Sequence, residues 1–140
     1  MLLDHRIELM KYRLSMADEK LRSARILLDN GIYKDSVSRS YYAMFTAVRA
    51  ILALDGVDFK KHAGVISYFQ RTYIKSGVFE KEYSKYLSQA FQIRNNTDYS
   101  DFFIVSREEA QEQYTRAEQL SQRISQYLLT RLNNANKEGL

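Results

Sequence analysis

The pattern of apolar and polar residues predicts a long helix from Asp35 to Leu54. Its large apolar residues recur three or four positions apart, as on one face of a helix, and they are Val37, Tyr41, Met44, Phe45, Val48, Ile51 and Leu52. The opposite face carries small residues that let another helix come close, namely Ala43, Thr46, Ala50 and Ala53. Because both faces suit packing, we expect this segment to be the central helix of a bundle.

The same periodicity predicts helices over residues 4–30, 61–74 and 80–95, and a last helix that begins with a capping box at Ser106–Glu109. Asn30-Gly31 and Asp55-Gly56 should end the first two helices, because glycine adopts the left-handed conformation at low cost. Asp35 is the predicted N-cap of the central helix. The sequence therefore predicts an all-α, up-and-down bundle of four or five helices.

Turn-forming residues interrupt this pattern at two places. Asn95 to Asp98 favour caps and turns, so we expect the fourth helix to stop there and a loop to cover 99–105. After Leu132 the chain is polar, and residues 133–140 should form a frayed tail. The rest of the 140 residues shows no linker, so we expect a single domain over 1–140.

Composition narrows the class of protein further. The chain has no Pro and no Cys, which favours uninterrupted helices and excludes disulfides and thiolate metal sites. It has two histidines, His5 and His62, which are far apart in sequence, so we expect no metal site and no cofactor. No apolar run has the length of a membrane span or the character of a signal peptide, so we expect a cytoplasmic protein that does not enter the membrane.

The net charge of +4 is a weak indication of the partner. Residues 57–100 carry most of the basic excess. A mildly basic surface attracts nucleic acid or an acidic protein, but this charge is too small to decide between them.

One polar cluster stands out, at Arg94-Asn-Asn-Thr-Asp98-Tyr99. An arginine followed by amides, a carboxylate and a phenol can grip a phosphate and orient a ribose hydroxyl. Alternatively, Arg94 satisfies the end of its helix, Asp98 is its ion-pair partner and Tyr99 is buried in the loop. Chemistry alone favours the second interpretation. His62, at the start of the third helix, is expected to bond a nearby backbone or carboxylate group rather than to act in catalysis.

Three segments together resemble the small prokaryotic proteins of the HEPN type, and they are YKDSVSRSYYAMFTAVRAIL (33–52), KKHAGVISYF (60–69) and RNNTDYSDF (94–102). The most similar branch is an uncharacterised one of stand-alone proteins, in which an arginine precedes an Asp-Tyr pair. The resemblance implies a helical bundle that forms a homodimer with the arginine motif at the dimer cleft. Many HEPN proteins are metal-independent ribonucleases, and many are toxins encoded beside a small nucleotidyltransferase antitoxin.

The usual motif of those ribonucleases is an arginine, four to six residues, and then a histidine. Arg94 matches the arginine, but the three allowed histidine positions hold Tyr99, Ser100 and Asp101. A tyrosine of ordinary pKa cannot exchange a proton near neutral pH as histidine does. The resemblance therefore leaves ribonuclease activity open.

Two hypotheses about function follow from the resemblance. In the first, the chain is a toxin–antitoxin or defence protein that binds RNA or a nucleotide, and Arg94, Asp98 and Tyr99 are the candidate catalytic residues. Arg94, Asn95, His62 and Lys61 are then the candidate residues for binding RNA or nucleotide. In the second, the dimer is a non-catalytic module that binds a nucleotidyltransferase partner. A further possibility is that such a partner modifies Tyr99.

Overall fold

The computed structural model describes residues 2–137, and every regular element within that range is helical. The chain forms five α-helices with a π-helical turn directly after the third, and they are α1 (Leu2–Asp29), α2 (Tyr33–Asp55), α3 (His62–Phe69), the π-turn (Gln70–Ile74), α4 (Lys81–Tyr99) and α5 (Arg107–Lys137). The predicted all-α bundle is confirmed. None of these helices is both long enough and apolar enough to cross a bilayer.

The second helix, α2, lies at the centre of the bundle. It packs against α1, α3, α4 and α5. Tyr41 and Val48 of the predicted stripe have no exposed surface, and Ala43 and Ala50 on the other face are equally buried. The small residues let neighbouring helices approach closely while the large ones fill the core. The predicted central helix is therefore confirmed.

The start of α2 differs from the prediction. The helix begins at Tyr33, because Gly31 adopts a φ of 77° and turns the chain, and the carbonyl of Ile32 already accepts the Ser36 N–H at 3.0 Å. Asp35 is thus an acidic residue of the first turn, where its charge suits the helix dipole, and not the N-cap. The predicted stop is confirmed, since Gly56 has a φ of 76° and its N–H bonds to carbonyls of the last turn.

The predicted break at 95–98 is wrong, because α4 continues through Tyr99. The side chains that favour turns are instead satisfied along the helix. The Thr97 hydroxyl donates to the Arg94 carbonyl at 2.8 Å, and Asp98 pairs with Arg94 one turn earlier. Spacing of i and i+4 brings such partners together on one face of a helix. This extension places the whole polar cluster on a rigid element.

Other boundaries shift less. The third predicted helix is present as α3 followed by the π-turn, and α1 begins at Leu2. The Ser106 hydroxyl accepts the Glu109 N–H at 3.1 Å, which confirms the predicted serine cap of α5. Beyond Leu132, where fraying was predicted, α5 remains helical through Lys137. The remainder of the predicted tail, 138–140, lies outside the described residues.

A partly buried polar network fastens α5 to the rest of the bundle. The Asp55 carboxylate accepts hydrogen bonds from Tyr68 at 2.9 Å, Tyr73 at 2.5 Å and Arg131 at 2.6 Å. Burial raises the pKa of Tyr73 above its usual range, and the neighbouring Asp55 carboxylate raises it further. The residue that ends α2 therefore also joins α3, the π-turn and α5.

Candidate functional site

Arg94 lies on α4 with its guanidinium held between an aromatic ring and a carboxylate. Its Cζ is 5.2 Å from the centroid of the Tyr42 ring, which belongs to α2. Its Nε is 2.8 Å from Asp98 Oδ2, although the Nε–H does not point at that oxygen. Asn95 Oδ1 lies 3.5 Å from Nη1, at the limit of a hydrogen bond. The ion pair with Asp98 that the sequence predicted is confirmed.

His62 reaches the same aromatic cluster from the first residue of α3. Its Nδ1 lies 2.8 Å from the Tyr41 hydroxyl, and its ring stacks on Phe45 with centroids 4.1 Å apart. The imidazole is nearly perpendicular to the Tyr42 ring, with ring centroids 6.0 Å apart. The prediction that His62 bonds a backbone or carboxylate group is therefore wrong, because its partner is the Tyr41 phenol.

The electrostatic setting keeps His62 neutral at physiological pH. Burial lowers the pKa of His62, and the positive charges of Arg94 and Arg49 lower it further. Burial also raises the pKa of Tyr41 above its usual range, so this phenol keeps its proton. In the tautomer whose Nδ1–H donates to the Tyr41 oxygen, the neutral imidazole can accept a proton at Nε2.

The structure brings together some of the predicted site residues and separates others. Arg94, Asn95 and Asp98 are contiguous on α4, and His62 shares the Tyr42 contact with Arg94. Tyr99 is 82% exposed, so the prediction that it is buried in a loop is wrong. A residue five positions after Arg94 lies about 140° further around the helix. Tyr99 therefore presents its phenol away from the Arg94 side chain.

Lys61 is also displaced from the cluster. Its side chain is exposed, and its carbonyl accepts the N–H groups of Gly64 and Val65 as the N-cap of α3. The lysine that lines a cleft beside His62 is the preceding residue, Lys60. Lys60 and Lys61 differ in this way because Lys61 is the N-cap of α3, whereas Lys60 belongs to the segment before the helix.

Sequence reasoning missed two groups that complete the site. Tyr42 contacts both Arg94 and His62, and Arg49 lines a cleft together with His62. Both residues lie on α2, where the apolar periodicity marks Tyr42 and Arg49 only as flanking positions. The single signal available in the sequence was the Tyr41-Tyr42 pair, since aromatic residues are enriched at interfaces as well as in cores.

Large apolar side chains are exposed directly after the site. Phe102 and Ile104 follow Tyr99 in the connection between α4 and α5, and all three are largely exposed to solvent. Exposed apolar residues in a group mark surfaces that bind another molecule. The segment 99–104, from the last residue of α4 into this connection, is therefore a candidate interface beside Arg94.

A comparison with known families assigns the chain to a class. Residues 10–127 match the family model described as the HEPN domain. The match covers most of the chain, so this protein belongs to the HEPN family, and the resemblance noted in its motifs is confirmed.

Individual relatives come from archaea and bacteria. The chain is similar to a "UPF0332 protein" of Thermotoga maritima, with 33% identity over 111 residues, which cover 79% of this chain and 84% of the relative. It is 46% identical over 77 residues to the "UPF0332 protein PH1297" of Pyrococcus horikoshii, covering 55% of this chain and 54% of that protein. It is 36% identical over 87 residues to the "Putative toxin MJ0605" of Methanocaldococcus jannaschii, covering 62% and 65%. The chain therefore covers less than two thirds of the length of the Pyrococcus horikoshii and Methanocaldococcus jannaschii relatives.

Proposed function

We propose that this chain is a toxin-like HEPN protein that binds RNA or a nucleotide at a homodimer cleft around Arg94. One observation carries the proposal: Arg94 and His62, from different helices, both contact Tyr42. A planar guanidinium beside a neutral imidazole is a pair suited to a phosphodiester and its ribose hydroxyl. The relatives named as toxins support the toxin-like part of the proposal.

The chemistry available to these residues is metal-free transesterification of RNA. The 2′-oxygen attacks the adjacent phosphorus, the new 2′-O–P bond forms and the P–O5′ bond breaks, which leaves a 2′,3′-cyclic phosphate. His62 takes the 2′ proton at Nε2 while its Nδ1–H donates to Tyr41, and the departing 5′ oxygen takes a proton from water. Arg94 stabilises the added charge on phosphorus. The proton-transfer role considered for Tyr99 and Asp98 passes to His62, because Tyr99 lies on another face and Asp98 is paired with Arg94.

A homodimer would complete the cleft. Tyr99, Phe102 and Ile104 are exposed next to the end of α4, and a second copy related by a two-fold axis would cover them and bring two Arg94 side chains near one groove. Sedimentation equilibrium at micromolar concentration should give twice the monomer mass. A monomer under those conditions would remove the composite cleft.

The test of function is RNA affinity and cleavage for wild type, Arg94→Ala, Arg94→Lys and His62→Gln. Binding is measured by fluorescence anisotropy with a labelled single-stranded RNA, and cleavage by resolving the products on a gel. We expect Arg94→Ala to abolish binding and cleavage and Arg94→Lys to rescue poorly, because lysine lacks the paired planar donors. His62→Gln should lower cleavage by about 10²-fold or more while retaining binding.

Arg116 provides a matched control. It lies on α5, its Cζ is 4.7 Å from the Tyr86 ring centroid, and it pairs with Glu112 one turn earlier on the same helix. Arg116→Ala removes the same kind of aromatic contact and ion pair as Arg94→Ala, together with a hydrogen bond to Gln89 Oε1, but leaves Tyr42 and His62 untouched. Equal loss of RNA affinity in both variants would contradict a specific site at Arg94.

The alternative is a non-catalytic dimer that binds a nucleotidyltransferase partner, and the observation that favours it is the close Arg94–Asp98 pair. In that case Arg94 only stabilises α4, and the exposed Tyr99 phenol is available to a partner that transfers a nucleotide. Co-purification with a nucleotidyltransferase encoded next to this protein's gene, followed by mass spectrometry of wild type and Tyr99→Phe, tests it. RNA affinity that survives Arg94→Ala, together with a nucleotide adduct that is absent from Tyr99→Phe, would favour this alternative.

A further inference from the structure

A cleft opens beside His62, and Arg94 is not among the residues that line it. It has a volume of about 490 Å³ and lies between α2 and the chain segment that leads into α3. Its lining residues are Phe45, Arg49, Asp58, Phe59, Lys60 and His62. This volume lies within the range of small-ligand sites, about 300–1,000 Å³. The cleft is thus large enough for one nucleotide unit.

The cleft has more positive charge than its own carboxylate neutralises. Asp58 Oδ2 is 3.2 Å from Arg49 Nη2 and 3.6 Å from Arg13 Nη2, so two guanidinium groups share one carboxylate. Arg13 also donates to the Arg49 carbonyl at 2.8 Å, which brings the two arginines together. Lys60 is a further basic residue in the lining of the cleft, whereas Arg13 lies outside that lining. The cleft is thus lined by two basic groups and one carboxylate that Arg13 also neutralises, and this excess of positive charge favours the binding of an anion.

Arg49 also has unused hydrogen-bonding capacity. Its Nε is buried and has no hydrogen-bond partner among the described residues, while its Nη2 contacts Asp58. A buried donor without an acceptor costs free energy, so a side-chain shift that turns Nε toward an anion in the cleft would be favourable. Arginine matches the oxygens of a phosphate through paired planar donors.

The walls of the cleft are aromatic. Phe59 is partly exposed at the rim and Phe45 forms the inner wall, where it stacks on His62. Unpaired bases of single-stranded RNA stack on such rings with little dependence on sequence. Cations and aromatic faces together are the features of a site for a nucleotide of a single strand.

His62 connects this cleft to the Arg94 site. Its ring lines the cleft together with Arg49, and it also contacts Tyr42, on which Arg94 lies. The positive charges of Arg94 and Arg49 both lower the pKa of the imidazole, so both guanidinium groups lie near it. A strand bound at Arg94 would therefore enter the cleft by passing His62.

We propose that this cleft is a second RNA subsite, in which Arg49 and Lys60 bind the phosphate and Phe59 stacks on the base of the nucleotide next to the one at Arg94. This inference rests on the proposed function, since it extends the same strand beyond the Arg94 site. It also gives the site a substrate class: single-stranded RNA of at least two nucleotides, in preference to a free mononucleotide.

The test compares a labelled single-stranded RNA with AMP as probes for wild type, Arg49→Gln and Lys60→Gln. Both variants should bind the RNA about tenfold more weakly, because each removes a charge-assisted hydrogen bond to phosphate. AMP binding at Arg94 should be unchanged in Lys60→Gln, because Lys60 takes no part in the Arg94 site. Each should also reduce the slope of log affinity against log salt concentration by about 0.7 for every phosphate that the protein no longer neutralises. Thermal melting checks that Arg49→Gln still folds, and Lys60, which lines the rim, gives a second variant.

Lys85→Gln is the matched control, because Lys85 is an exposed basic residue of α4 outside the cleft lining. The second subsite would be overturned if Lys60→Gln and Arg49→Gln kept the RNA affinity and the salt slope of wild type. In that case the proposed function would still stand if Arg94→Ala failed to bind RNA. Weaker binding in the cleft variants with Arg94→Ala unchanged would support the cleft and overturn the Arg94 site. Wild type that binds neither probe would overturn both.

Discussion

Replacing Arg94 by alanine should lower the free energy of unfolding by only about 0.8–1.5 kcal/mol. The Arg94 side chain is 20% exposed but that of Asp98 is 38% exposed, so solvent screens the pair, which contributes about 0.3–0.5 kcal/mol as an i,i+4 helical ion pair. The contact with Tyr42 adds about 0.5–1 kcal/mol, as a cation–π interaction at a partly exposed site. A fully buried ion pair would instead cost about 3–5 kcal/mol when broken.

The same calculation applies to Arg116. Its side chain is 21% exposed, its partner Glu112 is 55% exposed with the two atoms 2.5 Å apart, and its aromatic contact with Tyr86 is closer than that of Arg94 with Tyr42. Arg116 also donates a hydrogen bond to Gln89 Oε1 at 2.7 Å, so Arg116→Ala should lower stability by at least as much as Arg94→Ala, about 1–2 kcal/mol. The two variants should differ little in stability but clearly in RNA affinity, because only Arg94 shares the Tyr42 contact with His62.

The assay is urea denaturation followed by far-UV circular dichroism, run beside RNA anisotropy on the same preparations. Equal slopes of unfolding free energy against urea allow the midpoints to be compared directly. A stability loss of more than about 3 kcal/mol in Arg94→Ala, with RNA affinity preserved, would refute the functional role and identify a structural ion pair.

Three further predictions concern the core and its titrating groups. Phe45→Ala should cost about 3–5 kcal/mol, because it leaves a cavity under His62, and an unchanged denaturation midpoint would be inconsistent with the packing of α2. Stability should fall as the pH drops below about 6.5, because burial lowers the pKa of His62 in the folded state and the unfolded chain therefore binds the proton first. His62→Phe should reduce this dependence of the melting temperature on pH. Stability should also fall as the pH rises above about 10, because unfolded tyrosine ionises there while burial and Asp55 keep Tyr73 protonated, and Tyr73→Phe should weaken that dependence.

Much of the fold could be predicted from the sequence because helices follow local rules. The apolar period identified α2, Gly31 and Gly56 marked the ends of two helices, and Ser106 marked the start of α5. Each of these signals depends on residues within one or two turns. The pairing of Arg94 with Asp98 belongs to the same class, since both residues lie one turn apart on α4.

Boundaries were less predictable where local preference and tertiary packing disagree. The residues between Arg94 and Tyr99 favour turns, yet α4 continues through them because their side chains bond along the helix and Arg94 packs on Tyr42 of α2. Propensity is a weak preference that such contacts override. The same extension carried Tyr99 onto an exposed face and so removed it from the set of residues around Arg94.

The candidate site itself was decided by the tertiary structure. The sequence determined that Arg94 is a lone arginine in a polar cluster and that His62 begins a helix, but the two residues lie far apart along the chain. Only the packing of α3 and α4 against α2 brings both onto Tyr42, and only the segment before α3 brings Asp58 to Arg13 and Arg49. Helical periodicity fixes which face of each helix is buried, whereas the groups that meet across helices depend on long-range packing that no local pattern encodes.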